Sequence, residues 1–106
     1  MSAPLSEQDF RLKADHALEG LQRALLPLAD QDGFEIELQN GVMILEFEEP
    51  AGKFVVSPNA PVRQIWVSAM SKSYKLSWSP EAGAFALDGE TLPKLLDRLA
   101  RTFLQT

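Results

Sequence analysis

From about residue 6 the apolar positions Phe10, Ala14, Ala17, Leu21, Leu25 and Leu28 recur at three- and four-residue spacing, the period of an amphipathic helix. Arg11, Asp15, Glu19 and Gln22 fall on the opposite face. Ser6 followed by Asp9 reads as a capping pair, and Glu7 and Asp9 suit the positive end of the helix dipole. Pro27 is expected to end or kink this helix near residue 26.

The period then changes to two. Phe34, Ile36 and Leu38 alternate with Glu35, Glu37 and Gln39, which predicts a strand with one apolar and one acidic face. Asn40-Gly41 predicts a tight hairpin into a second strand over residues 42–48, with Met43, Leu45 and Phe47 facing the core. Residues 49–52 read as a turn, 53–57 as a short strand, and Pro58-Asn59-Ala60-Pro61 as a stiff loop. Further strands are predicted over 63–69, 73–79 and 84–87. After an Asp88-Gly89-Glu90 turn, Thr91 is placed to cap a second helix whose stripe is Leu92, Leu95, Leu96, Leu99, Phe103 and Leu104.

Helix, strands, helix predicts an α+β two-layer sandwich, with both helices on one face of an antiparallel sheet. A length of 106 residues fits a single domain, 1–106. The other sheet face then meets solvent or a partner. In strand 63–69, Ile65, Val67 and Ala69 share the inward parity, which assigns Trp66 to the open face beside Gln64 and Ser68, with Val42 and Ile44. Tryptophan is the residue type most enriched at interface hot spots.

Charge sharpens this picture. The net charge of −5 divides unevenly: residues 1–49 hold eleven acids against three bases, residues 50–106 four acids against seven bases. An acidic side repels nucleic acid and anionic membrane and attracts cations or basic protein surfaces. Glu7, Asp9, Asp15 and Glu19 are expected on the exposed helix face, Asp30 and Asp32 in the loop after it, and Glu35 and Glu37 on the first strand. Oxygen ligands of this kind suit calcium, magnesium, manganese or iron, in an open and weak site with no fixed ligand spacing.

Other chemistries are excluded. There is no cysteine, hence no disulfide, thiolate nucleophile or cysteine-held cluster. The one histidine, His16, has no serine partner in prospect, and no phosphate loop, dinucleotide motif or zinc-protease motif occurs. The chain therefore reads as a binding module, not an enzyme. Met1-Ser2-Ala3-Pro4 carries no signal-peptide pattern and no apolar run approaches a membrane span, so a cytoplasmic location is expected.

Residues 40–47 (NGVMILEF) and 61–68 (PVRQIWVS), with Asp88-Gly89-Glu90-Thr91, resemble the frataxin family over nearly the whole chain. The resemblance implies an iron-binding regulator or adaptor of iron–sulfur cluster assembly, monomeric or oligomerising with iron, that docks on a cysteine desulfurase and its scaffold protein. Glu7, Asp9, Asp15, Glu35 and Glu37 match acidic positions of a ridge on which the resemblance implies weak ferrous and ferric iron binding, and Glu19, Asp30 and Asp32 are further candidate ligands beside them. Gln64 and Trp66 match the family's sheet-face pair, which the resemblance implies contacts partners, and Asn59, Arg63, Glu35 and Glu37 are candidate partner contacts beside them. Bacterial members are denser in acids at the end of the first helix, where this chain has Gln22, Arg23, Leu26, Pro27, Ala29 and Gln31, so a reduced iron capacity is expected. Two further expectations stand beside this one: an oligomerising ferroxidase or iron-storage protein, and a pure protein-binding adaptor without significant metal binding.

Overall fold

The computed structural model describes residues 5–105; Met1 to Pro4, considered above for targeting, lie outside them. The elements run α1 (Glu7–Asp32), β1 (Glu35–Gln39), β2 (Val42–Glu48), β3 (Ala51–Asn59), a 3-10 turn (Ala60–Val62), β4 (Gln64–Ala69), β5 (Lys72–Ser79), β6 (Ala84–Leu87), β7 (Glu90–Thr91) and α2 (Leu92–Leu104). All seven strands form one antiparallel sheet in sequence order, so each strand pairs only with its chain neighbours. Both helices pack on one face, as expected.

The core between the layers is the predicted one. Phe10, Ala14, Leu21, Leu25 and Leu28 of α1 are buried, joined by Leu18, while Ala17 is only partly covered. They meet Met43, Leu45, Phe54, Val56, Ile65, Val67 and Leu76 from alternate strand positions, and Leu92, Leu95, Leu96 and Leu99 from α2. No polar or charged side chain is buried among the described residues.

Three expectations need correction. Helix α1 does not stop near residue 26 but continues through Pro27 to Asp32, where Gly33 closes it at φ 74°. Pro27 removes one backbone N–H on the exposed side of the helix, where water can take up the freed carbonyl of Arg23. Leu25, Leu28 and Ala29 meanwhile hold both sides of it against the core. Asp30 and Asp32 therefore sit on the last helical turn and not in a loop.

Strand β3 begins at Ala51 and runs through Pro58 to Asn59. Pairing with β2 ends near Val56, opposite Met43, so β3 has only β4 as a neighbour at Pro58, which faces Ile65. A missing N–H on the unpaired side costs no ladder bond there. Finally, Thr91 occupies the N-cap of α2 but its side chain makes no capping hydrogen bond, and Pro93 at N2 has no N–H to offer one. The Ser6 cap is formed as read: its Oγ accepts from the Asp9 N–H at 3.1 Å.

Candidate functional site

The helices leave one sheet face uncovered, and strand register determines what it displays. Glu37, Ile44, Val55, Ser68 and Ser73 face one another across β1 to β5, and Ser57, Trp66 and Lys75 form an adjoining row across β3 to β5. Val42, Ile44, Val55 and Trp66 are each half-buried, which makes an apolar strip among polar neighbours. Trp66, Val42 and Ile44 lie on the open face, as the alternation of apolar and polar residues predicts.

The indole is held in place from within the protein. Its N–H donates to Gln64 Oε1 at 3.0 Å, and the Gln64 amide in turn donates to Ser77 Oγ at 3.3 Å. The Lys75 ammonium lies 4.8 Å from the ring centroid. With its polar edge already satisfied, Trp66 offers a partner apolar surface at little desolvation cost.

Asn59 and Gln64 stand opposite each other at the ends of β3 and β4. Arg63 is placed differently from its neighbour. At φ 54° it follows the 3-10 turn, and its guanidinium donates to the carbonyls of Leu5 (3.0 Å) and Ala60. The side chain clasps the start of the described chain to that turn, which engages two of its five N–H donors internally.

The eight acids are spread along a ridge without converging. Glu7, Asp9, Asp15 and Glu19 are exposed on α1, and Glu7 is paired with Arg11 at 3.3 Å. Glu35 and Glu37 are exposed on the edge strand β1, where Glu35 faces Glu46 and Glu46 faces Lys53. Glu46 was not singled out for the ridge, although the Asn40-Gly41 register already places it beside Glu35. Asp30 and Asp32 occupy the C-terminal turn of α1, which has no basic residue, and the negative end of the helix dipole disfavours them there. Among the described residues no three His, Cys, Asp or Glu side chains come together in a metal-ligating group. Carboxylate oxygens are hard donors, but their dispersal makes no preformed cation cage among the described residues.

Comparison with known proteins agrees with this geometry. The family model described as a frataxin-like domain matches residues 3–106. The iron-sulfur cluster assembly protein CyaY of Cupriavidus metallidurans is 36% identical over 73 residues, which is 67% of this chain and 65% of that protein. Mitochondrial frataxin of Caenorhabditis elegans is 30% identical over 105 residues, covering 93% of this chain and 77% of its own. The structure of a frataxin from Psychromonas ingrahamii superposes with a TM-score of 0.64 at 16% identity, covering 96% of this chain and 92% of that one. A helix-backed seven-stranded sheet, an open face centred on a tryptophan and a match over almost the full length have one common explanation: this chain belongs to the frataxin family.

Proposed function

We propose that the protein acts in iron–sulfur cluster assembly by binding: it docks on the cysteine desulfurase and its scaffold protein through the Trp66 face and the acidic ridge, and changes their turnover without catalysing a step. The observation that carries this is the uncovered sheet face, where Trp66, Val42, Ile44 and Val55 stay half-exposed while the indole N–H is already bonded to Gln64. Such a strip suits the centre of an interface, with Gln64, Asn59 and Lys75 as its polar rim. Glu35, Glu37, Asp30 and Asp32 supply the charge that steers a basic partner surface. Work in the cytoplasm fits that role.

Iron enters as cargo held weakly by ridge carboxylates. The spacing of the acids favours protein docking over iron carriage, and over mineral storage still more.

The test is a desulfurase turnover and co-elution assay with the bacterial desulfurase–scaffold pair. Trp66→Arg, and separately Glu35→Lys with Glu37→Lys, should weaken complex formation and the effect on turnover. Wild-type protein that neither binds nor alters the desulfurase at micromolar concentration overturns the proposal. A ferrous titration followed by NMR under anaerobic conditions separates a metal-free adaptor, which would leave Asp9, Asp15 and Glu35 unperturbed.

A further inference from the structure

On the helix side of the sheet, away from Trp66, a cleft of about 560 Å³ opens between α1, the β5–β6 hairpin and the start of α2. That volume lies in the range of small-molecule sites. One wall is the second tryptophan, Trp78, half-buried and stacked edge-on to Phe85 at 5.2 Å. The opposite wall is α1, whose Leu12 is 55% exposed at the rim. Between them the floor is apolar, completed by Leu21 and Leu92.

Gly20 leaves the helix wall of this cleft bare. A Cβ built there meets only the Arg23 guanidinium, at 3.9 Å, and its backbone is ordinary helix. Neither close packing nor a left-handed turn requires glycine, and in a helix interior it is unfavourable. What it does is preserve the volume of the cleft.

The ionisable side chains that line the cleft carry no negative charge. Although α1 carries Glu7, Asp9, Asp15 and Glu19, no carboxylate lines the cavity; the ionisable groups there are Lys13 and His16. The Lys13 ammonium sits 4.4 Å from the centroid of the Trp78 ring, held at the cleft by the indole. In a chain of net charge −5, this is an isolated cationic edge on an apolar slot.

We infer that this cleft binds a small organic acid with a flat apolar body, the body against Trp78 and Leu12 and the carboxylate toward Lys13. Shape and apolar walls select the body, and charge complementarity selects an anion over its neutral counterpart.

The full chain is titrated with phenylpropionate and with the neutral phenylpropanol, following backbone amide shifts. Saturable shifts are expected along residues 12–21, 78–85 and at Leu92, and none around Trp66. The acid should bind about fivefold tighter than the alcohol, the value of one partly exposed charge contact. Lys13→Met should erase that preference. Gly20→Leu, which helix propensity favours and whose fold the same amide spectrum checks, should fill the slot and abolish binding of both compounds. Absence of saturable shifts at millimolar acid, equal affinity for the alcohol, or undiminished binding by Gly20→Leu overturns the inference.

Discussion

The ring of Phe103 closes over Gly52 so tightly that a Cβ at residue 52 would lie 2.5 Å from the ring's Cζ. Phe103 is not free to yield, since its centroid is 4.9 Å from that of Phe47 and 5.5 Å from that of Phe54. The contact joins the last turns of α2 to β3, opposite Phe47 on β2. Gly52→Ala should destabilise the protein by about 1–3 kcal/mol through overpacking, less a small gain from a stiffer unfolded chain. Urea unfolding of Gly52→Ala, Phe103→Leu and the double variant checks this: the pair should be strongly non-additive, and additive losses would mean the contact is not the cause.

The β4–β5 hairpin turns on Met70 and Ser71, both left-handed at φ 52° and 64°. Two of the other two-residue turns, Asn40-Gly41 and Asp88-Gly89, have the same conformation, which side chains with a Cβ adopt at a cost. Ser71 is exposed and Met70 packs on the core, so Ser71 is the position to change. Ser71→Gly should raise stability by about 0.5–1 kcal/mol, after allowing for the added freedom of glycine in the unfolded chain. A thermal melt that shows no gain would rule this out.

Asp30 and Asp32 stand at the negative end of the α1 dipole with no basic residue in that turn. Asp30→Asn and Asp32→Asn should each stabilise the fold by about 0.3–1 kcal/mol at low salt. If the ridge serves docking, the same double variant should bind the desulfurase less well. Affinity unchanged while stability rises would instead mark these acids as irrelevant to the interface.

Adjacent residues of β4 offer a sharper division. Ile65 is fully buried and Trp66 half-buried on the other face. Ile65→Ala should cost about 2–5 kcal/mol of stability. Trp66→Ala should cost about 1 kcal/mol, the Gln64 hydrogen bond and the Lys75 contact, yet weaken partner binding at least about tenfold. Calorimetry of folding and of binding on the same two variants measures both quantities; similar binding losses for the two would remove Trp66 from the interface.

Trp66 and Ile65 also show why much of the fold was legible. Period-two alternation fixes which side of a sheet each residue faces, and the Asn40-Gly41 turn fixes register, so the core and the open face follow from local pattern. Pro27 and Pro58 do not break their elements because a proline's cost depends on what its missing N–H leaves behind: at Pro27 an exposed carbonyl that water can satisfy, at Pro58 no ladder bond at all, and both are settled by contacts distant in sequence. The left-handed Met70-Ser71 turn had no glycine or asparagine to announce it. Within the candidate site, Trp66 and Gln64 were readable from parity, whereas the internal role of Arg63 depends on Leu5, 58 positions away, and carries no local signal. The slot beside Trp78 was equally hidden, because its walls come from α1, the β5–β6 hairpin and the start of α2, far apart in sequence.

Glu90 accepts two hydrogen bonds from Arg98, Nε to Oε2 and Nη2 to Oε1, both at 2.8 Å, and so ties β7 to α2 at the sheet edge. Those bonds, with the charges of Arg98 and Lys94, outweigh partial desolvation and hold the Glu90 carboxyl below its ordinary value of 4.5. In the folded protein the charged form is thus favoured more than in the unfolded chain, so the unfolded chain binds more protons in the acid range. The contribution is present in full above the unfolded value and is lost as pH falls through the lower, folded one. Glu90→Gln should accordingly lower Tm at neutral pH, with the gap to wild type narrowing through the acid range and closing once Glu90 is protonated in both states. Because the pair is largely exposed, added salt should narrow the neutral-pH gap as well. Melts of both proteins across pH, at low and high salt, test this directly: a gap that stays constant or widens on acidification would show that the Arg98 bridge does not set it.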